Sequence, residues 1–170
     1  VTSTQVEGDG TNEITINPAN TFASATQYYV EIDSTAFDDS SSNSFAGISD
    51  KTSLSFTSAD IVAPTLSSSS PADDATNIAV NGDIELTFSE AVDVETGYIT
   101  IKKSSDDSEF EKIDVKSTQV TGSGTNEITI DPANNFASST QYYVLIDSDA
   151  FDDGSSNSFA GISDKNSLNF

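Results

Sequence analysis

The sequence predicts an all-β fold, an antiparallel β-sandwich of about seven strands, and three features of the chain support this class. Apolar residues alternate with polar ones, as at Ile84, Leu86 and Phe88, which is the pattern of a strand with one buried face. Clusters rich in Gly, Asn, Asp and Pro separate these short runs. No window carries a long apolar stripe of helical period, so helix is expected to be nearly absent.

The chain also repeats itself. Val1–Phe56 and Val115–Phe170 align without a gap and are identical at 45 of 56 positions. The period of 114 residues is too long for a solenoid repeat of about 20–50 residues and predicts a tandem array of whole domains. We therefore divide the chain into the C-terminal half of one unit (1–56), a linker (57–64) and one complete unit (65–170), and we interpret it as a piece of a longer protein.

Seven strands are predicted in the complete unit from its alternating runs and its turns. The register of the sixth strand follows from a comparison of the copies, since Leu145 is replaced by Glu31, and a carboxylate can replace leucine only on the solvent side. Tyr142, Val144 and Ile146 should therefore point into the core. The predicted strands span 65–69 together with 77–80, 83–89, 97–103, 110–120, 126–130, 140–147 and 162–170.

The chain is strongly acidic, with 28 Asp and Glu residues against 6 Lys and no His or Cys. Such a surface repels nucleic acid and anionic lipid, which need Lys or Arg to neutralise phosphate, and it attracts cations. Solubility in salty surroundings is another reason for the acidity. We expect no nucleic-acid partner and, because no apolar run approaches about 18 residues, no membrane insertion. The absence of His and Cys argues against an enzyme and against a soft transition-metal site.

Carboxylates from separate stretches are predicted to converge at the pole of the complete unit that faces the preceding one. The second and sixth strands of such a sandwich run the same way and end together, where the first strand begins. Close carboxylates repel one another unless they bind protons or a cation, and oxygen ligands suit Ca²⁺. The acids at these strand ends also include Asp93, Glu95 and Asp149. The predicted Ca²⁺ ligands are Asp60, Glu90, Asp147, Asp152 and Asp153, with Asp33, Asp38 and Asp39 as the matching acids of the first copy.

Asp152 and Asp153 have an alternative role in a solvated loop, where their side chains would accept backbone N–H groups as Asp commonly does in turns. The loop from 147 to about 161 is long for a hairpin, which favours a functional role. An EF-hand is rejected, because its Asp spacing and its Glu at the twelfth position are both missing.

Two further motifs have weaker functional interpretations. Tyr142-Tyr143 could form a sugar-stacking surface, although one core Tyr beside a half-exposed neighbour is the commoner arrangement. Glu109 and Glu111 share one strand face and could form an acid pair for glycoside chemistry, but a solvated face fits better without a cleft.

Two segments of the complete unit resemble a known family. APTLSSSSPADDATNIAVNGDIELTFSEAV (63–92) is similar to the opening of bacterial Ig-like domains of the surface-layer-protein type, and QYYVLIDSDAFDDGSSNSFAGI (141–162) resembles their later part. The resemblance covers 61–170 and, by repetition, 1–56. It implies an Ig-like β-sandwich, tandem arrays in giant bacterial adhesins and other surface proteins, and Ca²⁺ at domain junctions. It also implies Asp60 as a ligand, since its linker looks like those of such arrays, and it implies no catalytic residue.

The predicted function is a structural spacer of a large secreted or cell-surface adhesin-like protein. Its partners would be neighbouring repeats of the same polypeptide, with Ca²⁺ stiffening each junction. One alternative is a subunit of an extracellular filament or surface layer, in which identical chains exchange strands through the half unit at 1–56. Another alternative is a carbohydrate-binding module that uses tyrosines and carboxylates.

Overall fold

Antiparallel strands account for all the regular structure of this protein in a computed structural model that describes residues 4–170. The first three residues of the predicted half unit lie outside the described residues. The chain divides into two units, Val1–Ile61 and Val62–Phe170. Within residues 4–170 there is no helix long and apolar enough to span a membrane.

The first unit contains two small antiparallel sheets. Strands β1 (Val6–Glu7) and β2 (Thr15–Ile16) form one, and β3 (Gln27–Tyr29) and β4 (Ser55–Thr57) form the other. Residues 58–61 continue the β4 segment along the same neighbours, because the backbone N–H groups of Ala25 and Ser58 donate to Ala59 and Thr26. The first five residues of the predicted linker therefore belong to the first unit.

The larger sheet of the second unit is arranged around one long strand, β6. On one side, β6 pairs with both β5 and β12, and on the other side it pairs with β10, which is followed by β9. All of these pairings are antiparallel. The strands are β5 (Leu66–Ser70), β6 (Ile84–Val94), β9 (Val120–Thr121), β10 (Thr125–Ile130) and β12 (Phe151–Asp152).

The smaller sheet of the second unit has the order β11–β7–β8, again antiparallel. Its strands are β7 (Tyr98–Lys103), β8 (Glu109–Asp114) and β11 (Tyr142–Ile146). The last residues of the chain run beside β11, where Ile162 forms a bridge with Ile146 and Asn169 with Tyr143.

Residues from both sheets of the second unit form one apolar core. Ile84 and Ile128 of the larger sheet and Ile99 and Val144 of the smaller one are all 0% exposed. Tyr142 and Ile146 are buried with Val144, as the comparison of Leu145 with Glu31 predicted. The predicted antiparallel sandwich is therefore confirmed.

Several predicted strand boundaries are wrong, and local turns explain two of them. Residues 77–80 form no strand, because Asp74 and Asn77 adopt positive φ angles of 60° and 59°, which interrupt an extended backbone. Residues 162–170 form only isolated bridges and backbone hydrogen bonds to β11, since the carboxylate of Asp164 accepts the Asn166 N–H and the Ser167 hydroxyl in a turn.

Two other differences concern strand length, and one strand is missing from the prediction. Strand β6 continues five residues beyond the predicted end at 89, to Val94. The predicted strand 110–120 divides into β8 and β9, because Asp114 accepts the N–H groups of Lys116 and Ser117 in a turn. Strand β12 was not predicted at all, and its position beside β6 determines the geometry of the acidic site.

Candidate functional site

The extension of β6 and the short strand β12 place acidic residues opposite one another. Asp152 pairs with Asp93 and Phe151 with Val94 in the antiparallel register. The phenylalanine is fully buried, so it fixes the strand to the core while Asp152 remains half-buried at the edge. Two carboxylates thus face each other across a strand pair, an arrangement that is destabilising when both are charged.

Asp152 lies in a strongly negative environment. Partial burial raises the pKa of its carboxyl group above its usual value, and the charges of Glu95, Asp93 and Asp153 raise it further. An ionised Asp152 is therefore disfavoured in the folded unit unless a proton or a cation compensates the charge. This is the electrostatic behaviour expected of a cation-binding cluster.

Glu90 of β6 and Asp153, which follows β12, lie close together. One carboxylate oxygen from each is within 4.8 Å of the other. Each Ca²⁺–O bond is about 2.3–2.6 Å long, so two oxygens separated by up to about 5 Å can bind the same ion. Glu90 is half-buried and Asp153 is 5% exposed. The structure thus brings together an acid from β6 and an acid from the loop after β11.

Asp153 is also the organiser of its own turn. Its Oδ1 accepts the backbone N–H groups of Ser155 and Asn157 at 2.8 Å each, and its Oδ2 accepts the Asn157 side-chain N–H at 2.8 Å. Burial opposes ionisation of Asp153, but these hydrogen bonds outweigh it and hold the pKa of its carboxyl group below the usual value. The alternative role considered for this residue, acceptance of backbone N–H groups in a turn, is therefore present.

The hydrogen bonds of Asp153 do not exclude cation binding. A carboxylate offers about four lone-pair positions, and three donors leave one free. Asp153 is ionised in this arrangement, as a Ca²⁺ ligand must be. The residues present therefore fit a hard cation, and Asp152 is the acid whose raised pKa a bound cation would lower.

Asp147 has a different position and a different role. Its Oδ2 accepts the Tyr98 N–H at 2.9 Å, and its side chain lies against Gly97 at the start of β7. The backbone N–H of Asp147 donates to the Tyr98 carbonyl in β7, whereas Asp152, five residues later in the chain, pairs with Asp93 of β6. The structure does not bring Asp147 together with Asp152.

The matching acids of the first unit lie in an equivalent loop. Asp39 accepts the N–H groups of Ser41 and Asn43 and the side-chain N–H of Asn43, as Asp153 does with Ser155 and Asn157. Asp33, Asp38 and Asp39 are all exposed. Within the described residues of this unit no strand corresponds to β6, so no second set of acids faces them.

Asp60 lies one residue before the end of the first unit. Its Oδ1 accepts the Ser24 hydroxyl at 2.8 Å. Its role as a ligand stays a prediction. The ligand set predicted from the sequence omits Asp93 and Glu95, although their charges raise the pKa of Asp152, because the pairing of β12 with β6 is not visible in residue patterns.

Tyr142 and Tyr143 do not form the sugar-stacking surface that was considered as an alternative, and Tyr143 is buried and not half-exposed. Tyr142 and Tyr143 are both buried, and the hydroxyl of Tyr143 donates to Asp107 at 3.2 Å. Tyr98 is exposed, but Lys112 Nζ lies 4.0 Å from its ring centroid and covers one face. This geometry gives no support to sugar stacking at the Tyr pair.

Glu111 has a structural role that could not be read from its position two residues after Glu109 on the same strand face. Its Oε1 accepts the Gln119 side chain at 2.7 Å and the Ala133 N–H at 2.9 Å, and its Oε2 accepts from Asn134. Burial opposes ionisation, but these bonds outweigh it and lower the pKa of the Glu111 carboxyl group. A carboxyl group held ionised in this way is a poor general acid, so the geometry argues against an acid pair with Glu109.

A family model described as a bacterial Ig-like domain matches residues 60–170. No curated protein and no solved structure matches the chain.

Proposed function

The chain belongs to the bacterial Ig-like domain family, and from this premise we propose that it is a structural spacer of a large secreted or cell-surface adhesin-like protein. Such domains are noncatalytic structural modules typical of bacterial surface proteins. The observation that carries the proposal is the repeat, in which 45 of 56 positions recur 114 residues later. Repeating one domain with almost the same sequence makes a protein longer without adding a different binding site, which is what a spacer requires.

We further propose that Ca²⁺ binds the acidic cluster and stiffens the junction. Support comes from the closeness of Glu90 and Asp153, from the raised pKa of Asp152, and from the excess of 28 acids over 6 lysines. Asp60 remains in the proposed ligand set because only four residues separate it from Thr65, whose N–H donates to Ser89, the neighbour of Glu90. Backbone carbonyls would complete a shell of 6–8 oxygens.

Small-angle X-ray scattering of the full chain with Ca²⁺ and with chelator tests the stiffening. We expect Ca²⁺ to increase the mean length of the chain and to narrow its distribution of lengths. Without the ion the carboxylates at the junction repel one another, whereas a bound Ca²⁺ attracts all of them. Identical scattering profiles in the two conditions would overturn this part of the proposal.

Calorimetric titration of the full chain with Ca²⁺ tests the cluster itself. A saturable heat is expected for the natural sequence and should be lost in a Glu90→Gln, Asp152→Asn variant, which keeps the Asp153 carboxylate and the N–H groups that it accepts. Asp38→Asn, in the equivalent loop of the first unit, is the matched control and should bind as before. Equal heats for all three proteins would place the ions elsewhere.

A second candidate function has its own observation. Ile14, Ile16, Phe22, Phe45 and Phe56 of the first unit are exposed, whereas their counterparts in the second unit are buried in the core. Identical chains could cover this face with strands equivalent to β5, β6 and β7, which would give a filament or a surface layer. Light scattering coupled to size-exclusion chromatography should then show oligomers that grow with concentration. A strict monomer at all concentrations rules out strand exchange.

A further inference from the structure

A groove of about 570 Å³ lies at one end of the second unit, between residues 74–80 and Phe136–Gln141, with Phe170 in its wall. Phe136–Gln141 corresponds residue by residue to Phe22–Gln27 of the first unit, with a single change from Ala25 to Ser139. The two segments therefore allow a direct comparison of the same loop in two surroundings.

In the first unit, this loop holds an extended segment. The Ala25 N–H donates to the Ala59 carbonyl at 3.2 Å, and the Thr26 N–H donates to the Ser58 hydroxyl at 3.0 Å. Ser24 connects to the same segment through its hydroxyl, which donates to Asp60 Oδ1 at 2.8 Å and accepts the Ile61 N–H at 2.9 Å. Residues 58–61, with the sequence Ser-Ala-Asp-Ile, thus fit this loop through both backbone and side-chain bonds.

The loop of the second unit has the same conformation. Ala25 and Ser139 adopt positive φ angles of 47° and 54°. The N–H groups of Ala23 and Ala137 donate to the hydroxyls of Tyr28 and Tyr142 at 2.8 and 2.9 Å. The loop is therefore already shaped as in its counterpart that holds a segment.

The adjoining strand register is also the same in both units. Tyr28 pairs with Phe56, and Tyr142 exchanges two backbone hydrogen bonds with Phe170. An extended segment could thus continue along Gln141 and Thr140 in the second unit with the geometry that Thr57 and Ser58 have along Gln27 and Thr26 in the first.

The donors that hold the segment in the first unit are free in the second. Among residues 4–170, the N–H groups of Ser139 and Thr140 and the hydroxyl of Ser138 have no hydrogen-bond partner. Ser138 is exposed, whereas Ser24 is half-buried. Donors in a preformed loop beside a groove are the features of a site that receives an extended peptide by strand addition.

We propose that Phe136–Gln141 and the facing residues 74–80 form a docking groove for an extended segment of the type Ser-Ala-Asp-Ile. The Ser139 and Thr140 N–H groups bind the segment's Ala carbonyl and Ser hydroxyl, and the Ser138 hydroxyl binds its Asp carboxylate and its Ile N–H. The groove takes the chemistry of residues 58–61 because the same loop already holds them in the first unit. The inference extends the proposed spacer function, since a docked segment leaves the unit in a fixed direction, but it requires no cation.

The test appends Thr-Ser-Ala-Asp-Ile-Val-Ala-Pro, the sequence of residues 57–64, to Phe170 of the full chain. Covalent attachment raises the effective concentration of the segment to the millimolar range, enough to reveal a weak site. Amide hydrogen exchange is measured by NMR in the presence of chelator. We expect the Ser139 and Thr140 amides to exchange at least about tenfold more slowly than in the chain without the added segment. The Ala25 and Thr26 amides in the same sample provide the internal reference.

Two control variants make the result specific. Replacing Ser and Asp of the added segment by Gly, or Ser138 by Ala in the loop, should each reduce the protection. No change in exchange at Ser139 and Thr140 while Ala25 and Thr26 remain protected would overturn the inference. Equal protection by the Gly-substituted segment would overturn the assigned side-chain contacts. Because chelator is present throughout, failure here leaves the Ca²⁺ experiments unaffected, and failure of Ca²⁺ stiffening leaves the groove unaffected.

Discussion

The first unit and the C-terminal half of the second carry nearly the same sequence but bury it to very different extents. Ile16 is 47% exposed and its counterpart Ile130 is 0% exposed, while Phe22 is 40% exposed and Phe136 is 6% exposed. The turns are nevertheless the same in both units, down to the three donors around Asp39 and Asp153. Local hydrogen bonding is thus encoded within the repeat, whereas burial requires the strands that precede it.

The largest expected difference in stability is between alanine variants of the buried Ile130 and of its exposed counterpart Ile16. Ile130→Ala should cost about 2–5 kcal/mol of the second unit's stability, because it leaves a cavity in a packed core. Ile16→Ala should cost less than about 0.5–1 kcal/mol in the first unit, since its side chain is already half in solvent. Urea unfolding followed by NMR signals of each unit measures both. Equal losses would mean that the two units are packed alike in solution.

A second pair of variants tests whether the turns are indeed equivalent. Gly8 and Gly122 adopt φ angles of 100° and 101°, and a Cβ at either position would lie 2.0 Å from a backbone oxygen, of Glu13 or Glu127. Alanine at either glycine should therefore destabilise its own turn by at least about 1–3 kcal/mol. The same unfolding experiment detects the loss.

The control for the glycine variants is Gly154→Ala, where a Cβ meets nothing within 4 Å and where the first copy carries Ser40. That change should be nearly neutral. A strong effect of Gly122→Ala without one of Gly8→Ala would show that the turn of the first unit differs from that of the second.

Glu111 stabilises a turn of the second unit through several hydrogen bonds. Glu111→Gln should cost about 1–2 kcal/mol, because an amide cannot accept all the donors from Gln119, Ala133 and Asn134. The exposed Glu109→Gln is the matched control and should be near neutral. Thermal unfolding compares the two.

The Glu111 contribution should also depend on pH. Its folded pKa lies below the unfolded value of about 4.3, so the stabilisation is present above that pH and is lost as the pH falls through the folded pKa. The difference between the natural chain and Glu111→Gln should therefore shrink in acid. A difference that does not change with pH would show that the carboxylate charge is irrelevant.

The smallest expected effect is that of Asp152→Asn, which should raise the stability of the second unit, whereas the variants above lower stability. The pKa of Asp152 is raised, so its ionised form destabilises the folded unit above that pKa, and the penalty disappears as the pH falls toward the unfolded value. In chelator at neutral pH, Asp152→Asn should stabilise the second unit by a few tenths to about 1 kcal/mol. Asp38→Asn in the first unit should change nothing, because no acidic strand faces it in the described residues. Destabilisation by Asp152→Asn in thermal unfolding would contradict this account.

Most of the sandwich could be predicted because it follows from alternation along single strands. The inward direction of Tyr142, Val144 and Ile146 needed only a comparison of Leu145 with Glu31. The closeness of Glu90 to the loop after β11 needed only the directions of antiparallel strands.

The parts that were missed depend on contacts between distant residues. The two-residue strand β12 is too short to show an alternating pattern. It is positioned by Phe151, whose ring packs in the core against Phe88. Tyr143 is buried because Lys102 and Asn169 are its strand neighbours on either side. Short-range periodicity cannot report such pairings, since each is chosen by the assembled fold.

In the proposed Ca²⁺ site, the turn around Asp153 would limit how tightly an ion is held. Three donors already occupy its two carboxylate oxygens, so an arriving ion must share them and cannot draw the full strength of the ligand. Affinities of about 10⁻⁴–10⁻³ M are typical of extracellular modules, and a shared carboxylate suits that range. If the proposed junctions bind Ca²⁺ in that range, a rod built from them would stiffen as the ambient Ca²⁺ concentration rises and loosen as it falls.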